Sequence, residues 1–194
     1  MNEKRRAPPV KLRVTGLQEA QLSVLTRLEE QAAALRAEAG VPAERCIAQT
    51  APEIVRMKRD HDVRVIEADQ EPVGYLAWRD QAPGIAILER LLVEPSYRRF
   101  GLATRLLLEI GEKAKEHAIA LAVCLCPETD LAAQRFLSKR GFLRSGPLAE
   151  GPPLVLEWLE GAGAERLVLG VELWWAEAPG LGSIPGLPAP QPIQ

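Results

Sequence analysis

The sequence predicts a mixed α/β domain, with a central, mostly antiparallel sheet of about seven strands and helices flanking it. Three observations carry this. Seven short apolar or alternating runs read as strands, and four segments between them repeat their apolar residues with helical spacing. The order is strand, two helices, three strands, helix, strand, helix and two strands. The three consecutive strands are joined by short turns, which makes an antiparallel meander rather than a purely parallel sheet. The length of 194 residues suits one domain, because a core of this size already buries most of the surface that the unfolded chain exposes.

The elements follow in order. "VKLRVTGL" (Val10–Leu17) alternates like a half-buried strand. Leu17, Val24, Leu25, Leu28, Ala32 and Leu35 then keep helical spacing until Gly40 and Pro42 stop it. "TAPEIVRMKRDHD" gives a short second helix, with Thr50 as its cap and Pro52 in the first turn. "VRVIEAD" and "EPVGYLAWRD" are strands joined by a turn near Gln70, and "GIAILERLLVEP" is the third strand of the meander. From about Arg99 to His117 a helix places Leu102, Leu106, Leu107, Ile110 and Ala114 on one side. "IALAVCLC" is wholly apolar and is expected to be buried on both faces. "DLAAQRFLSKRGF" is a helix capped by Asp130 and closed by Gly141; "PPLVLEWLEG" and "ERLVLGVELWWAE" end the fold as strands. One domain is therefore expected over residues 1–176, followed by a Pro/Gly-rich tail at 177–194 that has no means of building a core.

Composition removes several classes of function. The net charge of −2 gives no global positive field for nucleic acid, and the basic start of the chain reads as a solvated end. Cys46, Cys124 and Cys126 have no metal-ligand spacing, so neither a disulfide framework nor a zinc site follows, and Cys124 and Cys126 read as small buried hydrophobes. No apolar run reaches membrane-spanning length and the N-terminus has no apolar signal region, so a cytoplasmic protein is expected.

The chemistry concentrates in "VEPSYRRFGLATRLLLEI" (Val93–Ile110). Its helix begins without a Ser, Asp or Asn to cap it. Gly101 removes the side chain where a ligand would approach the backbone, Ala103 keeps the next position small, and Arg98 and Arg99 stand just before the helix. Free N–H groups, a positive dipole end and guanidinium forks together bind anions, phosphate in particular. A ligand's phosphates are thus the expected cap. The spacing is neither that of a P-loop nor that of a dinucleotide-binding turn.

The stretch resembles the signature of the GNAT superfamily of N-acetyltransferases, V-x-P followed by [Q/R]-x-x-G-x-[G/A], at Val93, Pro95, Arg98, Gly101 and Ala103. "DLAAQRFLSKRGF" is similar to the family's second motif, N-x-x-A-x-x-F-Y-x-K-x-G-F, at Ala133, Phe136, Lys139, Gly141 and Phe142. The resemblance implies the GNAT fold and an acetyl-CoA co-substrate. It implies that the backbone of Arg99, Phe100, Gly101, Leu102, Ala103 and Thr104 binds the pyrophosphate, and that Leu91, Leu92 and Val93 pair with the pantetheine arm where the fourth and fifth strands splay. Thr104 could add a hydroxyl to a phosphate, and Arg135, Lys139 or Arg140 could meet the ribose phosphate. Two positions depart from the pattern: Asp130 replaces the motif's Asn, and Leu137 stands where many members carry the Tyr that protonates the leaving thiolate. Leucine cannot donate a proton.

An alkylammonium is neutral about once in a few thousand molecules at pH 7, equivalent to roughly 4–5 kcal/mol, so a group is needed to take its proton. Glu89 interrupts the apolar row Ile85, Ile87, Leu91, Val93 and is the expected base, with partial desolvation raising its pKa; an ion pair with Arg79 is the structural alternative. His61 and His117 read as solvated or structural, and Tyr97 as packing beside the phosphate loop. Trp174 and Trp175 face opposite ways, one toward the core and the other toward an acceptor cleft or a contact with a second copy of the chain. The resulting expectation is direct acetyl transfer to an amine, on a small molecule or on a protein N-terminus or lysine, without a metal. The alternative from another class is a CoA-binding regulatory module without turnover.

Overall fold

The computed structural model describes residues 11–41, 43, 46–144 and 171–177. Among them one seven-stranded sheet runs in the order β1-β2-β3-β4-β5-β7-β6. Strands β1 (Leu12–Gly16), β2 (Asp62–Ala68), β3 (Glu71–Ala82) and β4 (Ile85–Val93) form the antiparallel meander; β5 (Leu121–Pro127) joins β4 in parallel, and β7 (Val171–Glu177) lies antiparallel between β5 and the two-residue β6 (Leu143–Arg144). The turn expected near Gln70 is a two-residue hairpin with positive φ at both Asp69 and Gln70, which matches the right-handed twist of its strands.

Helices cover both faces. On one, α1 (Leu22–Glu38) and α2 (Ala51–Asp60) enclose Leu25, Leu28, Ile54, Met57, Val63, Val65, Tyr75 and Ala77. On the other, α3 (Leu102–His117) and α4 (Leu131–Lys139) enclose the larger core of Leu76, Trp78, Leu106, Leu107, Ile110, Cys124, Phe142 and Trp174. Leu17 precedes α1 rather than belonging to it. Thr50 and Glu53 cap α2 reciprocally, which satisfies orphan N–H groups at its start. The strand expected at residues 152–161 and the tail lie outside the described residues, and of the last predicted strand only Val171–Glu177 lies within them.

Two features of the sheet shape the site. The parallel pairing of β4 with β5 runs only from Ile85↔Leu121 to Leu88↔Cys124; both strands continue, β4 to Val93 and β5 to Pro127, without further pairing. A fork therefore opens after Leu88. At the same point β4 carries a bulge: Ala77 pairs with Arg90 and Trp78 with Leu88, so Glu89 is the inserted residue. The bulge reverses the alternation of the strand. Leu88 packs on the α3 face, but beyond Glu89 it is Leu91 and Val93 that pack there, and Leu92 turns to the α1 face. The expectation that Glu89 shares one row with both Ile87 and Leu91 is thus corrected. The expectation of burial on both faces of β5 also fails at Leu125, which is 48% exposed where the fork leaves β5 without its neighbour.

Candidate active site

The first part of the site is the start of α3. Gly101 is its N-cap residue, at φ 79°, and no side chain caps the helix. The helical ladder begins with the bond from Arg105 N–H to Gly101 O, so the N–H groups of Leu102, Ala103 and Thr104 precede it. A Cβ built on Gly101 would meet no atom within 4 Å, so the space in front of it is open, and the left-handed backbone is what favours glycine there. Arg99 also has positive φ. Both Arg98 and Arg99 are exposed, and Arg98 Nε donates to Val93 O at 3.3 Å. Phe100 packs partly against the core, Thr104 is buried and Tyr97 is buried as expected. Open space, uncapped N–H groups and two cations suit a bound phosphate.

The fork supplies the second part. Leu91, Leu92 and Val93 are half-buried on the stretch of β4 that β5 no longer pairs, the type of strand edge that satisfies the amides of an extended ligand. Across the fork, α4 is capped by Asp130, whose Oδ1 accepts from Ala133 N–H at 2.9 Å. Phe136 packs against the core with the Arg140 guanidinium 5.9 Å from its ring centroid, and Lys139 is exposed. Leu137 is core. Cys124 and Cys126 are buried, and burial pushes the Cys124 thiol well above its ordinary range, so these residues act as small hydrophobes.

Glu89 stands where bulge and fork coincide. Its Oε1 accepts from Arg79 Nε at 2.6 Å, and its Oε2 lies 3.0 Å from His61 Nε2. The Arg79 ion pair weighed from the sequence is therefore present, and His61, expected to be solvated or structural, is a second partner. Burial pushes the Glu89 carboxyl upward, but the hydrogen bond from Arg79 and the contact with His61 outweigh it and hold the group below the usual carboxylate range. This corrects the expected rise. His61 ends α2, and its Nδ1 lies 3.0 Å from Met57 O. A cleft of about 290 Å³ opens beside this pair, lined by Arg59, His61, Asp62, Arg79, Asp80 and Lys113.

Sequence reasoning missed the cluster beside Glu89. Glu29 of α1 is fully buried; it accepts from the Tyr75 hydroxyl and, at 3.2 Å, from Gln49 N–H. Arg90, next to Glu89 on the bulge, brings Nε within 3.4 Å of Glu29 Oε1 and donates from Nη1 to Glu89 O at 3.0 Å. Burial, followed by the adjacent Glu29 carboxylate, pushes the Tyr75 hydroxyl far above its ordinary range, so it acts only as a donor. The signal was available: Glu29 lies four residues after Leu25 and three before Ala32, inside the apolar stripe of its helix. The side chains of Trp175 and His117 lie outside the described residues, whereas Trp174 is buried. Among the described residues no group of three or more His, Cys, Asp or Glu could hold a metal ion, and no helix is long and apolar enough to cross a membrane.

Comparison with known proteins adds to this geometry. The family model described as acetyltransferase (GNAT) family matches residues 27–142, more than half of the chain. The fold is similar to that of PaiA N-acetyltransferase from Thermoplasma acidophilum in complex with coenzyme A, with a TM-score of 0.66 at 14% identity over 87% of this chain and 99% of that one. It is similar to an acetyltransferase from Thermus thermophilus (TM-score 0.59, 17% identity, 88% and 99% covered) and to the ribosomal-protein-S18-alanine N-acetyltransferase from Escherichia coli (0.61, 13%, 87% and 94%). At these identities the likeness is one of fold. No curated protein sequence matches the chain.

Proposed function

The chain belongs to the GNAT acetyltransferase family, and from that premise we propose that it transfers the acetyl group of acetyl-CoA directly to an amine held beside Glu89, in the cytoplasm. The observation that carries this reading is the coincidence, at one point of β4, of the end of β4–β5 pairing and a bulge whose inserted residue is Glu89. Bulges re-aim side chains, and this one sets a carboxylate on β4 at the first residue past its pairing with β5.

Acetyl-CoA supplies a thioester whose carbonyl carbon is the electrophile. The N–H groups of Leu102, Ala103 and Thr104, with Arg98 and Arg99, hold the pyrophosphate; the edge of Leu91 to Val93 holds the pantetheine amides; Asp130, Phe136 and Lys139 flank the arm from α4. A backbone N–H of Leu92 or Val93 polarises the carbonyl. Glu89 is ionised at neutral pH, and a carboxylate held below its usual range cannot strip an ordinary ammonium. The amine therefore attacks in its neutral form, at a cost of roughly 4–5 kcal/mol at pH 7, and Glu89 takes the proton as the new C–N bond makes the nitrogen strongly acidic. No donor side chain stands at Leu137, so solvent protonates the thiolate, whose ordinary pKa near 8.5 makes it a tolerable leaving group.

The test is release of free thiol from acetyl-CoA with a library of amines, including amino acids, polyamines and N-terminal peptides. Turnover with any amine supports transfer. Tight acetyl-CoA binding without turnover on any of them would instead indicate a CoA-binding module.

A further inference from the structure

Among the described residues, the cluster beside Glu89 holds more positive charge than its buried carboxylate answers. Arg36 lies in the last turn of α1, on the same side of that helix as Glu29, and both Arg36 and Arg90 act electrostatically on the Tyr75 hydroxyl that donates to Glu29. The oxygens of Glu29 are already taken by Tyr75, Gln49 and Arg90. Two guanidinium nitrogens of Arg36, Nε and Nη2, are out of water with no hydrogen-bond partner among the described residues, and Arg90 Nε sits at ion-pair distance from Glu29 without a directed hydrogen bond. The next charge is Glu53 of α2, on which Arg56 and, less strongly, Arg90 act, and Glu53 spends its carboxylate on the Thr50 cap. Among the described residues, Glu29 is thus the buried carboxylate paired with Arg90, and Arg36 is left without an ion-pair partner.

An uncompensated buried cation is costly unless something pairs with it. Arg90 is 27% exposed, so the cluster is reachable from outside, and it adjoins Glu89 in the chain. A planar guanidinium fork matches a carboxylate in shape and charge. We infer that the acceptor carries a carboxylate as well as its amine, as a free amino acid or a short amino-carboxylate does, and that Arg36 and Arg90 receive this carboxylate while the amine lies at Glu89. This inference rests on the acetyltransferase reading and narrows its substrate class.

Matched pairs test it: amino acids against their own amides, compared as kcat/KM for acetyl transfer. The carboxylate-bearing member of a pair is expected to be preferred at least tenfold, about 1.4 kcal/mol. Arg36→Met is expected to bring that ratio toward one and Arg36→Lys to retain part of it, which separates lost charge from lost folding. Equal or better use of the amides by the parent protein would overturn the inference while leaving acetyl transfer intact. If no amine of either series turns over, the acetyltransferase reading fails, and binding still decides the carboxylate question. Calorimetry with N-acetyl amino acids and their amides then supports the Arg36–Arg90 site if only the acids bind and Arg36→Met abolishes it. Absent or equal binding of the two overturns it.

Discussion

Glu89 and Glu29 are both acids set into apolar faces, yet the signal of Glu29 is the fainter of the two. In a strand the period is two, so a single carboxylate in "IAILERLLV" stands out, whereas Glu29 sits in "LEEQAAA", where neighbouring polar residues belong to the solvent face of the helix. The partners of Glu89 were legible only in part, because Arg79 follows from strand adjacency but His61 arrives from the end of α2. Glu89→Gln is expected to lower turnover at least a hundredfold at pH 7 with acetyl-CoA affinity little changed, and because the amine arrives neutral in both proteins, higher pH is expected to raise both rates and leave the ratio between them. A parental rate for Glu89→Gln across pH 6 to 9 would remove Glu89 from the chemistry. The same residue carries a stability signature. Its folded pKa is depressed, so its contribution is complete above the ordinary value of 4.5 and is lost as the pH falls through the lower folded value. Denaturant titrations should therefore show the parent's advantage over Glu89→Gln at pH 7 shrinking below about pH 4.5; an advantage independent of pH would contradict the ion pair. Tyr75→Phe removes a buried donor from Glu29 and should destabilise the fold by about 1–3 kcal/mol, read from the urea midpoint.

At the scale of elements, the two signature segments were placed by sequence because each combines a period with a terminator: Gly101 before the leucines of α3, Asp130 and Gly141 around α4. The bulge was not legible, since it is a property of the register between β3 and β4 rather than of β4 alone, and the face assigned to Leu91 and Val93 went wrong with it. β6 is two residues long and offers no period to read. The register has a tight point at Gly74, opposite Val93, where an added Cβ would come within 2.6 Å of Leu92 O and 3.2 Å of Val93 Cα. Backbone atoms cannot give way as a flexible side chain can. Gly74→Ala should therefore cost about 1–3 kcal/mol in thermal or chemical unfolding and weaken acetyl-CoA binding, because it displaces the same stretch of β4 that is assigned to the pantetheine arm. Unchanged stability and affinity would show that this edge is free to move.

For the molecule as a whole, a family match over residues 27–142 and a shared fold join a sheet that forks at Leu88 to a helix that starts without a protein cap. The account stands on one claim: that the open N-terminus of α3 receives the phosphates of CoA. Isothermal titration of acetyl-CoA into the parent protein and into Gly101→Glu tests it most directly. The replacement places a bulky anionic side chain in the open space before the helix, at a surface position where the packed core is untouched. The account predicts binding to the parent and an affinity at least tenfold weaker in Gly101→Glu, about 1.4 kcal/mol, with the variant still folded. Equal affinity in the two proteins, or no binding to the parent at millimolar acetyl-CoA, would contradict it.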